Sequence, residues 1–131
     1  MRKLIAFGAL LALAAALIGC GKKNVENRLE NELRSLESRR LEAARKLIQN
    51  VGTALNMYNM KKGGYPDSLE ELTKETDEEE ALLQGDYIDP WGTEIKYEKP
   101  KGKKRPLLTS AGEDREFGTE DDITNKDKNK K

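Results

Sequence analysis

The stretch from Ser110-Ala111-Gly112-Glu113-Asp114 to Gly118-Thr119-Glu120-Asp121-Asp122-Ile123 gathers the most chemically capable side chains of this sequence into one short loop. Asp114, Asp121 and Asp122 offer hard carboxylate oxygens. Gly112 and Gly118 let the backbone turn its carbonyls inward. A calcium ion takes about six to eight such oxygens and tolerates irregular geometry. Without a cation, this many carboxylates in one loop repel each other. The spacing does not follow the EF-hand template, and Arg115 can compete for a carboxylate. From the residues alone two readings stand: a hard-cation loop or a solvated acidic turn.

A second chemical group is Cys20. The chain starts with Met1, Arg2 and Lys3, runs apolar or small from Leu4 to Gly19, and then reaches Cys20 and Gly21. A positive start, an apolar core and a small residue before the cut make up a secretory signal. The run is shorter than the roughly 20 apolar residues that cross a bilayer. Leu17-Ile18-Gly19-Cys20 resembles the bacterial lipobox, with Ile18 the less usual member. That resemblance implies cleavage before Cys20, lipid on its thiol and a membrane partner through that lipid. Gly21, rather than Asp, then implies the outer membrane in a diderm host. The expected location is the cell envelope, facing the periplasm or the exterior.

Other chemistries are excluded by composition. The sequence has no histidine and one cysteine, so His/Cys metal sets, the usual nucleophile triads and an internal disulfide are absent. Carboxylates are many but lie in charged runs, not in an apolar pocket that would shift a pKa. No glycine-rich phosphate loop occurs. Lys plus Arg and Asp plus Glu are 24 each, which gives no net attraction to nucleic acid. The expectation is a non-enzyme without a small-molecule substrate or nucleic-acid partner.

Several elements must position these groups. Val25, Leu29, Leu33, Leu36, Ala43, Leu47, Val51, Leu55 and Tyr58 recur at helical spacing. They predict one long helix after a linker ending at Asn24. Its first half is a charged stalk, and its second half packs on a core. Arg39 to Lys46 reads as a solvated basic face. Lys61, Lys62, Gly63 and Pro66 stop the helix. Ser68-Leu69-Glu70-Glu71 fits a capping box opening a short second helix, with Leu69 and Leu72 inward. Residues 73–80 are too acidic to bury. Asp89-Pro90-Trp91-Gly92 reads as a turn, with Trp91 as a core plug rather than a ligand platform. Glu94 to Glu98 alternates as a half-exposed strand, and Leu107 to Ser110 is its return strand. The fold class is α+β, one long helix on a small antiparallel sheet. The expected segments are a signal at 1–19, a lipidated stalk at 20–44, the folded domain at 45–123 and a disordered basic tail at 124–131.

The ordered set Ala54-Leu55-Asn56-Met57-Tyr58, Gly64-Tyr65-Pro66, Asp89-Pro90-Trp91-Gly92, Ser110 to Asp114 and Gly118 to Ile123 resembles the soluble domain of the major pseudopilin of the type II secretion system, protein G. The resemblance covers residues 45–123. It implies the pilin-like fold and a calcium ion in the acidic loop. On this chain the matching ligands are Asp114 and Asp121, then Asp122 and the carbonyl of Ser110. It also implies core roles for Trp91, Tyr65 and Tyr97, and other pseudopilin or secretion-system proteins as partners. The N-terminus departs from the family, whose prepilin leader is followed by a Glu within an apolar helix. Here no Glu precedes Glu26. Two function classes follow: a structural or accessory part of a secretion or pilus-like machine, and an envelope protein-binding lipoprotein that reuses the fold.

Overall fold

The computed structural model describes residues 22–76, 80–102 and 104–126. Cys20 and the apolar run before it lie outside the described residues. The elements are α1 (Lys22–Lys62), α2 (Glu70–Thr73), β1 (Lys96–Glu98), β2 (Leu107–Ser110) and β3 (Ile123–Thr124). The chain divides into two compact units, Met1–Glu37 and Ser38–Lys131.

In the first unit the described residues are the opening turns of α1. The helix already begins at Lys22, where a linker through Asn24 was expected. Lys22, Lys23 and Glu26 are good helix formers that lose little side-chain freedom, so the helix extends back over this segment. Val25, Leu29, Leu33 and Leu36 are 58%, 49%, 55% and 52% exposed. The surrounding Glu and Arg residues are exposed too, as expected of a solvated segment.

In the second unit α1 changes character. Ala44, Ile48, Val51, Ala54 and Leu55 are buried, and they join Leu72, Trp91, Ile95, Leu108 and Ile123 in one core. Gly52 lies on the face of the helix toward Leu108, where a Cβ would make an ordinary contact with Leu108 Cδ1 at 3.8 Å. Leu55, Leu72 and Leu108 are fully buried. Each contributes about 1.5–3 kcal/mol by leaving water. Arg39, Arg40, Arg45 and Lys46 are exposed, so the basic stripe is the solvated face.

The helix ends as the residues dictate. Gly63 takes φ 76° and donates its amide to Asn59 O at 2.9 Å, a left-handed cap. Glu71 Oε1 then accepts from the amides of Asp67 at 2.8 Å and Ser68 at 3.4 Å. That is the return half of the expected capping box. Leu69 and Leu72 point inward. Tyr97 Oη donates to Pro66 O at 2.8 Å, tying this turn to β1.

The sheet is antiparallel, in the order β1-β2-β3. Tyr97 faces Leu108, and Ser110 faces Ile123. The expected strand from Glu94 begins instead at Lys96. Glu94 forms an isolated bridge with Ile88 around the Asp-Pro-Trp-Gly turn. From the sequence the β3 residues read as loop, because two residues are too few to display alternation. Ordered chain also runs past Ile123, where a tail was expected. Thr124 is in β3, and the Asn125 side chain accepts from Leu108 N at 3.2 Å and donates to Pro106 O at 2.8 Å. Residues 127–131 lie outside the described residues. The architecture is the α+β fold expected, with a third, very short strand.

Candidate metal centre

The acidic loop is the connection from β2 to β3. Ser110 is the last residue of β2 and is fully buried, while Ile123 opposite it opens β3. Antiparallel pairing therefore brings the two ends of the loop together. Gly112 sits at φ 70°, and a Cβ on it would come within 2.5 Å of Asp121 O and 2.6 Å of Asp121 Oδ2. Only glycine fits there. The start of the loop thus packs directly on Asp121.

Each expected ligand can be placed. Asp121 Oδ2 accepts from the Asp114 amide at 3.1 Å, and Asp121 Oδ1 accepts from Thr119 Oγ1 at 2.6 Å. The Thr119 hydroxyl first, and then the Asp114 amide, hold the Asp121 carboxyl below the usual carboxylate range, against a smaller opposing effect of burial. Asp114 Oδ1 accepts from the Glu116 amide at 2.9 Å. Asp122 Oδ2 accepts from the Gly118 amide at 2.8 Å. Asp122 Oδ1 is buried with no hydrogen-bond partner among the described residues. Arg115 is exposed, at φ 60°, and the carboxylates are held by backbone amides and Thr119. Cys20 lies outside the described residues.

Among the described residues, no group of three or more His, Cys, Asp or Glu side chains converges as a ready cage. The carboxylates instead face amides of their own loop. Even so, the donor chemistry fits a hard cation. All the donors are oxygens, and a carboxylate oxygen that accepts one hydrogen bond keeps a second lone pair. Asp122 Oδ1 is the clearest observation. A buried carboxylate oxygen without a partner costs free energy, and a cation is a partner it can take.

Three contributors were not singled out in the sequence. Thr119 anchors Asp121. Phe117, 43% exposed, has Lys96 Nζ 5.7 Å from its ring centroid, a cation–π contact from β1 to the loop tip. Asp89, read as a turn residue, is 4% exposed and accepts from Ser110 Oγ at 2.6 Å. A Thr two residues before an Asp is a legible turn signal. The Asp89–Ser110 contact spans 21 residues and has no local signature.

The family model for type II secretion system protein G matches residues 31–126. The chain belongs to that family. The protein G match takes in the second half of α1, both motif turns and the acidic loop through β3. A solved relative is the major pseudopilin from the type 2 secretion system of enterohaemorrhagic Escherichia coli. It is 23% identical, with a TM-score of 0.51, covering 67% of this chain and 90% of that chain. At that identity the likeness concerns the fold: a long N-terminal helix on a small antiparallel sheet. Curated proteins give no significant match.

Proposed function

We propose that this protein G family member is a lipoprotein anchored through Cys20, with a calcium-stabilised pseudopilin-like domain. It serves as a structural or accessory component of a type II secretion or pilus-like system. The observation that carries the calcium part is Asp122 Oδ1, a buried carboxylate oxygen with no partner among the described residues. Asp114, Asp121, Asp122 and the carbonyl of Ser110 would hold the ion. Bound there, calcium supplies positive charge that offsets repulsion between the carboxylates. The loop's own amides and Thr119 already hold those carboxylates by hydrogen bonds.

The anchor rests on the apolar run from Leu4 to Gly19 ahead of Cys20. Each buried CH₂ of an acyl chain adds about 0.8 kcal/mol, so two or three chains hold a domain of this size stably. Among the described residues no helix is long and apolar enough to cross a membrane. Family membership supports contact with other secretion-system proteins in the cell envelope, and a structural rather than catalytic role.

The test is genetic and biochemical in the native host. Cys20→Ser should lose fatty-acid labelling and leave the membrane fraction. Unchanged labelling and partition would refute the anchor. Deleting the gene should impair type II-dependent export, and the wild-type gene should restore it. Normal export in the deletion strain would instead favour an envelope protein-binding role outside secretion.

A further inference from the structure

We propose that Asp89, which lies outside the acidic loop, is its positioning residue: through Ser110 Oγ it sets both ends of the β2–β3 loop that the calcium reading requires. The inference rests on that reading and deepens it. Asp89 is buried, and burying a carboxylate is expensive unless its oxygens are bonded. Both oxygens are engaged. Oδ1 accepts from the amides of Trp91 at 3.1 Å and Thr93 at 2.8 Å. Oδ2 accepts from Ser110 Oγ at 2.6 Å. The Ser110 oxygen in turn accepts from the Gly112 amide at 3.4 Å.

The two oxygens therefore do different work. Oδ1 closes the Asp-Pro-Trp-Gly turn, a job many turn aspartates and asparagines perform. Oδ2 is not needed for that turn. It reaches Ser110, which is fully buried and pairs with Ile123 across the sheet. Gly112, next along this chain of contacts, packs on the carbonyl and carboxylate of Asp121. The sequence of contacts is Asp89, Ser110, Gly112, Asp121. It links a rigid turn beside the core residue Trp91 to a carboxylate of the loop. Repulsion among Asp114, Asp121 and Asp122 would spread the loop and draw Asp121 away from its packing on Gly112. An anchor in the core resists that motion and holds Gly112 against Asp121.

Calorimetric calcium titration of the metal-stripped full-length chain, with thermal unfolding in chelator alongside, tests this. Ser110→Ala removes the hydroxyl and keeps the backbone carbonyl. Asp89→Asn keeps the turn acceptor and changes the group facing Ser110. Leu72→Val lowers stability in the core without touching the loop. Wild type should bind calcium, Ser110→Ala should bind at least tenfold more weakly and Asp89→Asn should also weaken. Leu72→Val should melt lower with an unchanged Kd. Wild-type Kd in both Ser110→Ala and Asp89→Asn, with only their melting temperatures lowered, overturns the positioning role and leaves the calcium reading intact. No calcium binding by wild type overturns the calcium reading and this inference with it. If Ser110→Ala does not fold, the Kd of Asp89→Asn alone decides.

Discussion

Gly112 is the tightest point of the loop and carries the sharpest single-residue prediction. In Gly112→Ala the new methyl meets the Asp121 carbonyl and carboxylate, and the residue is held at φ 70°. The left-handed conformation alone costs roughly 1–2 kcal/mol for a non-glycine residue. Gly118 is at φ 92° with nothing within 4 Å of a Cβ, so Gly118→Ala suffers the backbone cost only. Thermal unfolding should therefore order the three proteins as wild type, Gly118→Ala, then Gly112→Ala. Each kcal/mol corresponds to about 4–8 °C in a domain of this size. Equal melting of the two variants would mean that the Gly112–Asp121 packing is not real. Glu71 gives a pH prediction. Its carboxyl is held below its ordinary value of 4.5, chiefly by the Tyr58 hydroxyl at 2.5 Å and then by the Asp67 amide. A carboxyl lowered in the folded state stabilises above its unfolded value, and that contribution is lost as pH falls through the folded one. The raised Tyr58 hydroxyl is the same bond seen from its other end, so the effect is counted once. Tyr58→Phe should lose less stability than wild type between neutral pH and pH values below 4.5. Urea unfolding at a series of pH values checks this, and parallel acid limbs for the two proteins would contradict it.

At the scale of elements, β3 is short and held by side-chain hydrogen bonds as much as by its own ladder. Asn125 extends it, taking the Leu108 amide at 3.2 Å and giving to Pro106 O at 2.8 Å. Asn125→Ala leaves the Leu108 amide without that acceptor, a loss of about 1–2 kcal/mol. Hydrogen exchange at Leu108 should quicken in this variant while exchange along α1 near Val51 slows no further and speeds only with global unfolding. Unaltered protection at Leu108 would show that the sheet closes without Asn125. Much of this element order could be read in the residues. The helical period through Tyr58, the stop at Gly63, the Glu71 cap and the hairpin of β1 and β2 all carry local chemical signals. β3 does not, since Ile123–Thr124 is too short for a period and borrows stability from a side chain beyond it. The site shows the same division. Its acids stand together in the sequence, whereas Asp89 reaches the loop only through folding. Nor can spacing reveal that the loop carboxylates turn to amides of Asp114, Glu116 and Gly118.

For the whole molecule, the proposed calcium ion would tie the β2–β3 loop to the rest of the second unit. A ligand that binds only the folded state adds RT ln(1 + [L]/Kd), about 2.7 kcal/mol at one hundred times Kd. Because the loop joins β2 to β3, that gain should appear in cooperative melting of the domain and in protection of the Leu107 and Leu108 amides. Magnesium should replace calcium poorly, since it demands a near-ideal octahedron and keeps its waters. Exposed acids elsewhere, such as Glu75 and Glu80, provide the control, and neutralising them should leave the calcium response alone. The most direct measurement is the melting temperature of metal-stripped protein with calcium and with chelator, for wild type and for Asp114→Ala and Asp121→Ala. Calcium should raise the wild-type value by about 10 °C or more at saturating concentration, and either substitution should remove most of that rise. Equal melting temperatures for stripped wild type in calcium and in chelator would contradict the claim and leave the loop an ordinary charged turn.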